Sequence, residues 1–160
     1  MSDEKSQLLA TLAPILDHLS TVDPAGGRAT ADSLDAAFPV DGELLSQVRA
    51  EVVAGLQAGW LTPREGGGVR YGRLSKAVDG SRGFSIDAVD MSGPGPGHTH
   101  PNGEIDLCFA LEEGARFDGR PEGWVVYGPD SWHIPTVSGG RMAILYFLPG
   151  GAIRFGPRPS

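Results

Sequence analysis

The sequence contains one short stretch, residues 97–104, that reads GHTHPNGE. Side chains of an extended segment alternate between its two faces, so we expect His98 and His100 to point the same way. Two imidazoles at this separation can chelate one metal ion, and Glu104, which follows the Pro-Asn-Gly turn, can add a carboxylate oxygen from the next strand. The stretch therefore predicts a metal site that is built on β-strands.

A third imidazole lies further along the chain, in residues 129–133, which read PDSWH. A neighbouring strand could bring His133 beside the first two histidines. Three histidines and one carboxylate suit Fe, Mn, Zn, Ni or Co, and such a site keeps positions open for water or substrate. A lone histidine is more often a surface or capping residue, and we expect His18 on the N-terminal helix to be structural or solvated.

The segment after Trp60 is rich in glycine and proline, which separate short apolar runs. Short runs bounded by turn residues, with no alternating helices, indicate antiparallel strands. The sequence therefore predicts a mainly β fold, an antiparallel barrel or double-sheet jelly roll. The predicted strands are Tyr71–Lys76, Phe84–Met91, Glu104–Leu111, Trp124–Tyr127, Arg141–Leu148 and Ala152–Phe155.

The segment before Trp60 shows helical spacing instead, which predicts an α-helical N-terminal portion. The first helix should be kinked or divided at Pro14. A second short helix is expected at about Asp32–Phe38, and a third should begin after an N-cap at Asp41 and end at Gly59. The apolar stripe of the first helix is Leu8, Leu9, Leu12, Ile15, Leu16 and Leu19.

Length and charge limit the classes of protein that fit. The chain has 160 residues, enough for one domain, with the helical portion in residues 1–60 and the barrel in residues 61–160. The net charge of −7 and the scattered cations argue against nucleic-acid or membrane partners, and against a winged helix in residues 41–73. A single cysteine, Cys108, and the lack of a signal peptide or an apolar membrane segment predict a cytoplasmic protein.

The two histidine motifs resemble those of the cupin superfamily. The first cupin motif has the form G-x5-H-x-H-x3-4-E-x6-G, and residues 98–104 reproduce its core. The second has the form G-x5-P-x-G-x2-H-x3-N, to which residues 123–133 are similar. The resemblance implies a cupin-type barrel with metal ligands His98, His100, Glu104 and His133. The departures affect the turns: the leading glycine is displaced to Gly93, Leu111 and Ser131 replace glycines, and His133 comes one residue early.

A narrower resemblance covers most of the chain. Residues 98–111, 115–129 and 134–155 resemble the 4-hydroxylaminobenzoate lyase family of bacterial nitrobenzoate degradation. The resemblance implies that a small aromatic carboxylate, 4-hydroxylaminobenzoate, is converted to protocatechuate with release of ammonia. It also implies a divalent metal ion and no organic cofactor. Cupins commonly associate, so we expect a homo-oligomer.

Two further residues are placed near the site by strand alternation. If Glu104 faces the metal, Asp106 and Cys108 point into the same interior. A carboxylate inside a barrel is costly unless it is paired or used, so Asp106 is either a general acid/base or a partner that holds a ligand histidine by its other ring nitrogen. Glu104 is a candidate for the acid/base role as well. Cys108 is expected to be a small packed residue.

The candidate substrate-binding residues belong to no motif with a fixed spacing. Tyr127 and Trp132 flank the second motif and could stack on an aromatic ring. Arg73 and Arg141 lie in or beside strands and could bind a carboxylate in bidentate fashion, with Lys76 as a weaker candidate.

Two other functions remain open from the sequence. The same four ligands could serve an Fe(II) cupin dioxygenase that acts on a small aromatic or thiol substrate. A non-enzymatic cupin that binds a small ligand is the third hypothesis.

Overall fold

The computed structural model describes residues 3–159. Its N-terminal portion contains three α-helices. Helix α1 spans Asp3–Leu19, α2 spans Arg28–Ala37 and α3 spans Glu43–Ala58. The predicted apolar stripe of α1 is buried apart from Leu9, which is half-buried. Met1, Ser2 and Ser160 of the predicted single domain lie outside the described residues.

The helix ends differ from the sequence prediction at two places. Helix α2 begins at Arg28, four residues before the predicted Asp32. The predicted N-cap of α3 was wrong, because Gly42 rather than Asp41 occupies that position and Glu43 then places a carboxylate in the first turn, where the helix dipole favours it. Gly59 ends α3 in the left-handed conformation, as predicted, with φ of 86°. Helix α1 runs through Pro14 without being divided there.

The remainder of the chain forms short antiparallel strands. The large sheet has the strand order β1-β2-β3-β10-β5-β7, the small sheet has the order β11-β4-β8, and β6 pairs with β9. The strands are β1 (Arg64–Gly66), β2 (Val69–Ser75), β3 (Phe84–Met91), β4 (His98–His100), β5 (Glu104–Ala110), β6 (Arg116–Phe117), β7 (Gly123–Tyr127), β8 (Ser131–His133), β9 (Val137–Ser138), β10 (Met142–Pro149) and β11 (Arg154–Phe155).

The large sheet packs against the short strands through a shared apolar cluster. Phe117 of β6 and Val137 of β9 belong to the same buried cluster as Cys108 of β5 and Ile144 of β10. Strands that follow one another in the chain thus alternate between two opposed layers, β4 to β5 and β7 to β8. This is the double-sheet jelly roll that the sequence predicted, and the fold is mainly β with an α-helical N-terminal portion.

Strand β5 shows how the fold separates two environments. Its odd residues, Ile105, Leu107 and Phe109, belong to a cluster that includes apolar residues of α1, α2 and α3. Its even residues face the space between the layers, and Glu104, Asp106 and Cys108 among them are fully buried. The helices therefore cover the outer face of the large sheet, and they leave the inner face free to carry polar chemistry.

The strands that the sequence did not predict are very short. Strands β6 and β9 have two residues each, and β1 and β8 have three. No periodicity can be read over so few residues. Within residues 3–159, none of the helices combines the length and the apolar character needed to cross a bilayer.

Candidate metal centre

Strand pairing brings the four predicted ligand residues together. Strand β4 supplies His98 and His100, and β8 pairs with it so that His133 lies directly opposite His98. Glu104 begins β5 on the facing layer, after a turn closed by a hydrogen bond from the Gly103 amide to the His100 carbonyl. One ligand atom from each of the four residues lies within 4.8 Å of all the others. The cluster has the composition of a divalent-metal site.

The ligand atoms themselves are close and shielded from water. The Nε2 atoms of His98 and His100 each lie 3.2 Å from Oε1 of Glu104, and Nε2 of His133 lies 3.5 Å from Oε2. The two Nε2 atoms of His98 and His133 are 3.2 Å apart. Glu104 and His100 are fully buried, and the imidazole of His133 remains slightly accessible.

The other ring nitrogen of each histidine is held by an acceptor. Nδ1 of His98 lies 3.1 Å from the Pro96 carbonyl, and Nδ1 of His133 lies 2.8 Å from Oδ2 of Asp118. Nδ1 of His100 lies 2.9 Å from Oγ of Ser131, whose own proton is donated to the Gly128 carbonyl at 2.6 Å. Each Nδ1 must therefore donate, so each neutral ring directs an Nε2 lone pair into the centre.

Three lone pairs and a carboxylate at such distances form a set of donors that a divalent cation can bind. Nε2 of His100 and Oε2 of Glu104 are buried and have no hydrogen-bond partner among the described residues, which is the state expected of metal ligands. Nitrogen and carboxylate donors of this kind suit Fe, Mn, Zn, Ni or Co. The four residues therefore fit the metal that the sequence predicts.

In the metal-free protein, protons compensate part of this charge. Burial alone would raise the pKa of Glu104, but its close contacts with His100, His133 and His98 hold it well below its usual value. Burial lowers the pKa of His133, yet its contacts with Asp118 and Glu104 prevail and raise that pKa to about 9. Metal and protons therefore compete for His133.

A residue that sequence reasoning missed, Asp118, fixes the orientation of His133. Its Oδ2 accepts from Nδ1 of His133 and from the Tyr127 hydroxyl, and its Oδ1 accepts from the Thr136 amide at 2.8 Å. Burial would raise the pKa of Asp118, but these donors lower it, so the group is ionised. The Asp-Gly pair at residues 118–119 is a strong hairpin signal that could have placed Asp118 in a turn between short strands.

Asp106 lies on the same interior face as Glu104. It is fully buried, and neither of its carboxyl oxygens has a hydrogen-bond partner among the described residues. Burial, then the charge of Glu104, raises its pKa well above the usual value for an aspartate. Of its two predicted roles, the contact with the outer nitrogen of a ligand histidine is made by Asp118 instead, and Asp106 is a buried carboxyl group with a raised pKa beside the cluster.

Aromatic side chains surround the histidines. The Tyr127 ring stacks on His100 with centroids 5.5 Å apart and lies 4.3 Å from the His133 ring. Burial and the hydrogen bond to Asp118 raise the pKa of the Tyr127 hydroxyl. The Tyr146 ring lies 6.5 Å from His98, and the exposed Phe155 ring lies 5.7 Å from it.

Trp132 is placed differently. It lies between Ser131 and His133 on β8, and alternation directs its side chain to the face opposite His133. Its Nε1 donates to the Gly156 carbonyl at 2.9 Å, and the Arg158 guanidinium lies over its ring. The structure thus brings Tyr127, but not Trp132, to the ligand cluster.

The predicted carboxylate-binding arginines each have an ion-pair partner. Nε of Arg73 lies 2.9 Å from Oδ1 of Asp87, and Nε and one terminal nitrogen of Arg141 each lie 2.8 Å from the Asp90 carboxylate. Both arginines are exposed, and so is Lys76. Neither arginine contacts the metal ligands or Asp106.

A jelly roll whose facing layers share a His-x-His, Glu and His cluster has a cupin-type fold with a candidate metal site. Residues 12–155 match the family model described as 4-hydroxylaminobenzoate lyase, PnbB, and the chain belongs to this family. A protein of Nocardioides sp. (strain LMS-CY) named 4-hydroxylaminobenzoate lyase is 32% identical over 163 residues, which cover 95% of each chain. A protein of the same name from Pseudomonas putida is 26% identical over 88% of this chain and 90% of its own.

Two solved structures are similar over part or most of the chain. An RmlC-like cupin protein from Ralstonia eutropha matches 57% of this chain and 61% of its own at 15% identity, with a TM-score of 0.41. The complex of Rhodobacter sphaeroides SigE with the anti-sigma ChrR contains a chain that matches 89% of this one and 96% of its own at 20% identity, with a TM-score of 0.40.

Proposed function

We propose that this protein is a metal-dependent lyase that converts 4-hydroxylaminobenzoate and water into protocatechuate, which is 3,4-dihydroxybenzoate, and ammonia. The observation that carries the proposal is the 32% identity to the Nocardioides lyase over 95% of both chains. No organic redox cofactor is needed, because cleavage of the N–O bond supplies the oxidising equivalent for the ring. We place this step of nitroaromatic catabolism in the cytoplasm, in keeping with the single cysteine.

The buried cluster would hold the metal through His98, His100, Glu104 and His133. A divalent ion bound there would act as a Lewis acid that polarises the N–O bond of the hydroxylamine. The aromatic rings of Tyr127 and Tyr146, which lie against the ligand histidines, would line the space for the substrate ring.

Asp106 is suited to donate a proton to the leaving hydroxyl group and to take one back later. In its protonated form it donates to the departing hydroxyl oxygen, the N–O bond breaks, and water leaves. The ring cation then accepts a second water at the carbon ortho to nitrogen, and the Asp106 carboxylate takes the proton that this water releases. Another water adds at the carbon that carries nitrogen, ammonia departs, and tautomerisation gives the catechol. Two waters enter and one leaves, while nitrogen gains the two electrons that the ring loses.

An anaerobic assay in H2(18)O tests the proposal. Purified protein loaded separately with each candidate metal should convert 4-hydroxylaminobenzoate to equimolar protocatechuate and ammonia without oxygen. Both new hydroxyl oxygens should carry the solvent label, because the original N–O oxygen departs as water. A product that forms only with oxygen would support the dioxygenase instead, and saturable binding with no product would support a non-enzymatic cupin.

A further inference from the structure

The carboxylate of 4-hydroxylaminobenzoate lies para to nitrogen, so it must be bound across the ring from the metal ligands. A guanidinium is the side chain best suited to bind a carboxylate, because it forms two parallel hydrogen bonds. Arg73 and Arg141 already direct their guanidinium groups to Asp87 and Asp90. A free guanidinium that faces the barrel interior would be a better candidate.

Burial separates the arginines of residues 3–159 into two groups. Arg49 and Arg120 are half-buried, whereas the other arginines are exposed. The guanidinium of Arg49 already has protein partners, since it contacts Glu122 and donates to the Ala110 carbonyl. The side chain of Arg120 forms no hydrogen bond or ion pair with any residue that the structure describes. A half-buried guanidinium without a protein acceptor is expected to bind water or an anion.

The hairpin that contains Arg120 determines which face its side chain occupies. Phe117 and Arg120 form a directly opposed antiparallel pair, in which each amide donates to the other carbonyl, at 2.8 and 2.9 Å. Asp118 and Gly119 between them have φ of 48° and 82°, as a two-residue turn of type I′ requires. Side chains of directly opposed residues lie on the same face, about 5 Å apart at Cβ. Arg120 therefore shares a face with Phe117.

Phe117 identifies that face as the interior of the barrel. Its side chain is fully buried, and its ring lies 6.2 Å from the His133 ring and 6.4 Å from the Tyr146 ring. The charge of Arg120 also acts in this interior. Burial and nearby carboxylates raise the pKa of the Cys108 thiol, and Arg120 opposes that rise.

The same hairpin is tied to the metal centre. Asp118, at the turn between Phe117 and Arg120, accepts from Nδ1 of His133 at 2.8 Å. Arg120 therefore lies two residues along the chain from Asp118, the residue that holds the ligand His133. Phe117 shares a face with Arg120 and its ring lies 6.2 Å from the His133 ring, so an aromatic substrate bound on this face would meet its ring.

We propose that Arg120 binds the carboxylate of the aromatic substrate and so selects 4-hydroxylaminobenzoate over uncharged arylhydroxylamines. This inference rests on the proposed lyase function for the identity of the substrate. It assigns to Arg120 the role that the sequence assigned to Arg73 or Arg141.

Steady-state kinetics on a charged and an uncharged substrate test the assignment. Arg120→Met should raise KM for 4-hydroxylaminobenzoate roughly 10- to 100-fold, the usual effect of losing hydrogen bonds to a charged group. Phenylhydroxylamine lacks the carboxylate, so its kcat/KM should be unchanged. Arg141→Met is the matched control, because it removes an exposed arginine that is paired with Asp90, and it should change neither value. Arg120→Lys keeps the positive charge but cannot form the two parallel hydrogen bonds of a guanidinium, so an intermediate rise in KM is expected.

A binding measurement separates this inference from the proposed reaction. Calorimetric titration with 4-aminobenzoate should show an affinity roughly 10- to 100-fold weaker for Arg120→Met and intermediate for Arg120→Lys. Titration with 4-aminobenzamide should give the same affinity for all three proteins. Equal affinity of Arg120→Lys, Arg120→Met and wild type for 4-aminobenzoate would overturn the role of Arg120, even if the lyase reaction proceeds. If wild type binds 4-aminobenzoate through Arg120 but does not turn over 4-hydroxylaminobenzoate, the carboxylate site stands and the lyase assignment fails.

Discussion

At the scale of single residues, Asp106 is a fully buried carboxyl group on the same interior face as the ligand Glu104. A fully buried carboxyl group beside the carboxylate of Glu104 is costly, and proton transfer would account for its presence. Asp106→Asn keeps the shape but removes the transferable proton. We expect kcat to fall about 100- to 10,000-fold, the usual contribution of general acid–base catalysis. Metal content, measured by elemental analysis, should be unchanged.

Cys108→Ala is the control for Asp106→Asn. Cys108 is buried on the same interior face two residues further along β5, and it lies outside the proposed proton path. Its truncation should leave kcat within a few-fold of wild type. An Asp106→Asn protein that retains wild-type kcat would rule out Asp106 as the proton donor.

Asp118 is expected to act on the metal through His133. Partners that hold the outer nitrogen of a ligand histidine typically contribute about 10- to 100-fold in metal affinity. We therefore expect Asp118→Asn to weaken Zn²⁺ binding by about that factor, measured by competition with a chelator of known affinity. Asp87→Asn removes a carboxylate whose ion pair with Arg73 lies outside the ligand cluster, and it should leave the affinity unchanged. Equal affinities for Asp118→Asn and wild type would contradict this role.

The raised pKa of His133 predicts the pH dependence of metal uptake. With a metal-free pKa of about 9, His133 is protonated at neutral pH, and metal must displace that proton. Affinity should therefore increase with pH, by up to about tenfold per unit, and should level off above pH 9. Calorimetry in two buffers of different ionisation enthalpy should detect proton release at pH 7.5. A metal affinity that does not change between pH 7 and pH 9 would contradict the raised pKa.

The ligands could be predicted from the sequence because their signal is local. His98, His100 and Glu104 fall within seven residues whose alternation fixes their directions. Asp118 and Arg120 could not be found in this way, since their importance depends on β6 pairing with β9 and on a turn that returns to His133. The partner of Arg73 depends on the register of β2 against β3. The partner of Arg141 depends on the register of β10 against β3, which the apolar pattern of β10 does not specify.

At the scale of elements, the turn between β4 and β5 is held by a close approach to the N-terminal portion. Gly103 has φ of 88°, and a Cβ there would lie 2.5 Å from Cβ of Pro24 and 3.0 Å from the Tyr127 carbonyl oxygen. Gly103→Ala should cost about 1 to 2 kcal/mol for the left-handed backbone. Overpacking should add about 1 to 3 kcal/mol. Because Glu104 follows directly, metal affinity should fall too.

Gly114→Ala measures the backbone part of that cost alone. Gly114 has a nearly equal φ of 84°, but a Cβ there would meet nothing within 4 Å. Only the backbone cost of about 1 to 2 kcal/mol is expected, with metal affinity unchanged. Urea unfolding of both variants, with metal removed, gives the comparison. Equal losses of stability in the two proteins would show that the contact with Pro24 does not constrain the turn.

The elements that the sequence predicted well are those with enough residues to show a period. Helix α3 and the long strands β3 and β10 were predicted within one or two residues of their observed ends. Helix α1 tolerates Pro14 because its flanking apolar residues are buried against the sheet, so tertiary packing outweighs the lost backbone bond. The two-residue strands β6 and β9 owe their existence to pairing partners far apart in the chain.

At the scale of the whole molecule, the two faces of the large sheet have different roles: the outer face packs in the main apolar core, and the inner face carries the candidate site. Its outer face and the helices form one apolar cluster, while its inner face carries Glu104 and Asp106 together with a second, smaller cluster. Buried carboxylates weaken the inner core, and the helix-covered core offsets that cost. The N-terminal helices therefore have a physical role in supporting the site although they supply none of its ligands.

Metal should also join the two layers of the barrel. Glu104 belongs to the large sheet, and the three histidines belong to the small sheet, so a bound ion would connect the two sheets directly. A ligand that binds only the folded state at 100 times its Kd stabilises that state by about 2.7 kcal/mol. For a chain of this length, removal of the metal by a chelator should then lower Tm by about 5 to 10 °C. His100→Ala should show little dependence of Tm on the chelator, which separates loss of the site from other effects of chelation. If the wild-type Tm is the same with metal and with chelator, the four residues do not hold a metal that links the layers.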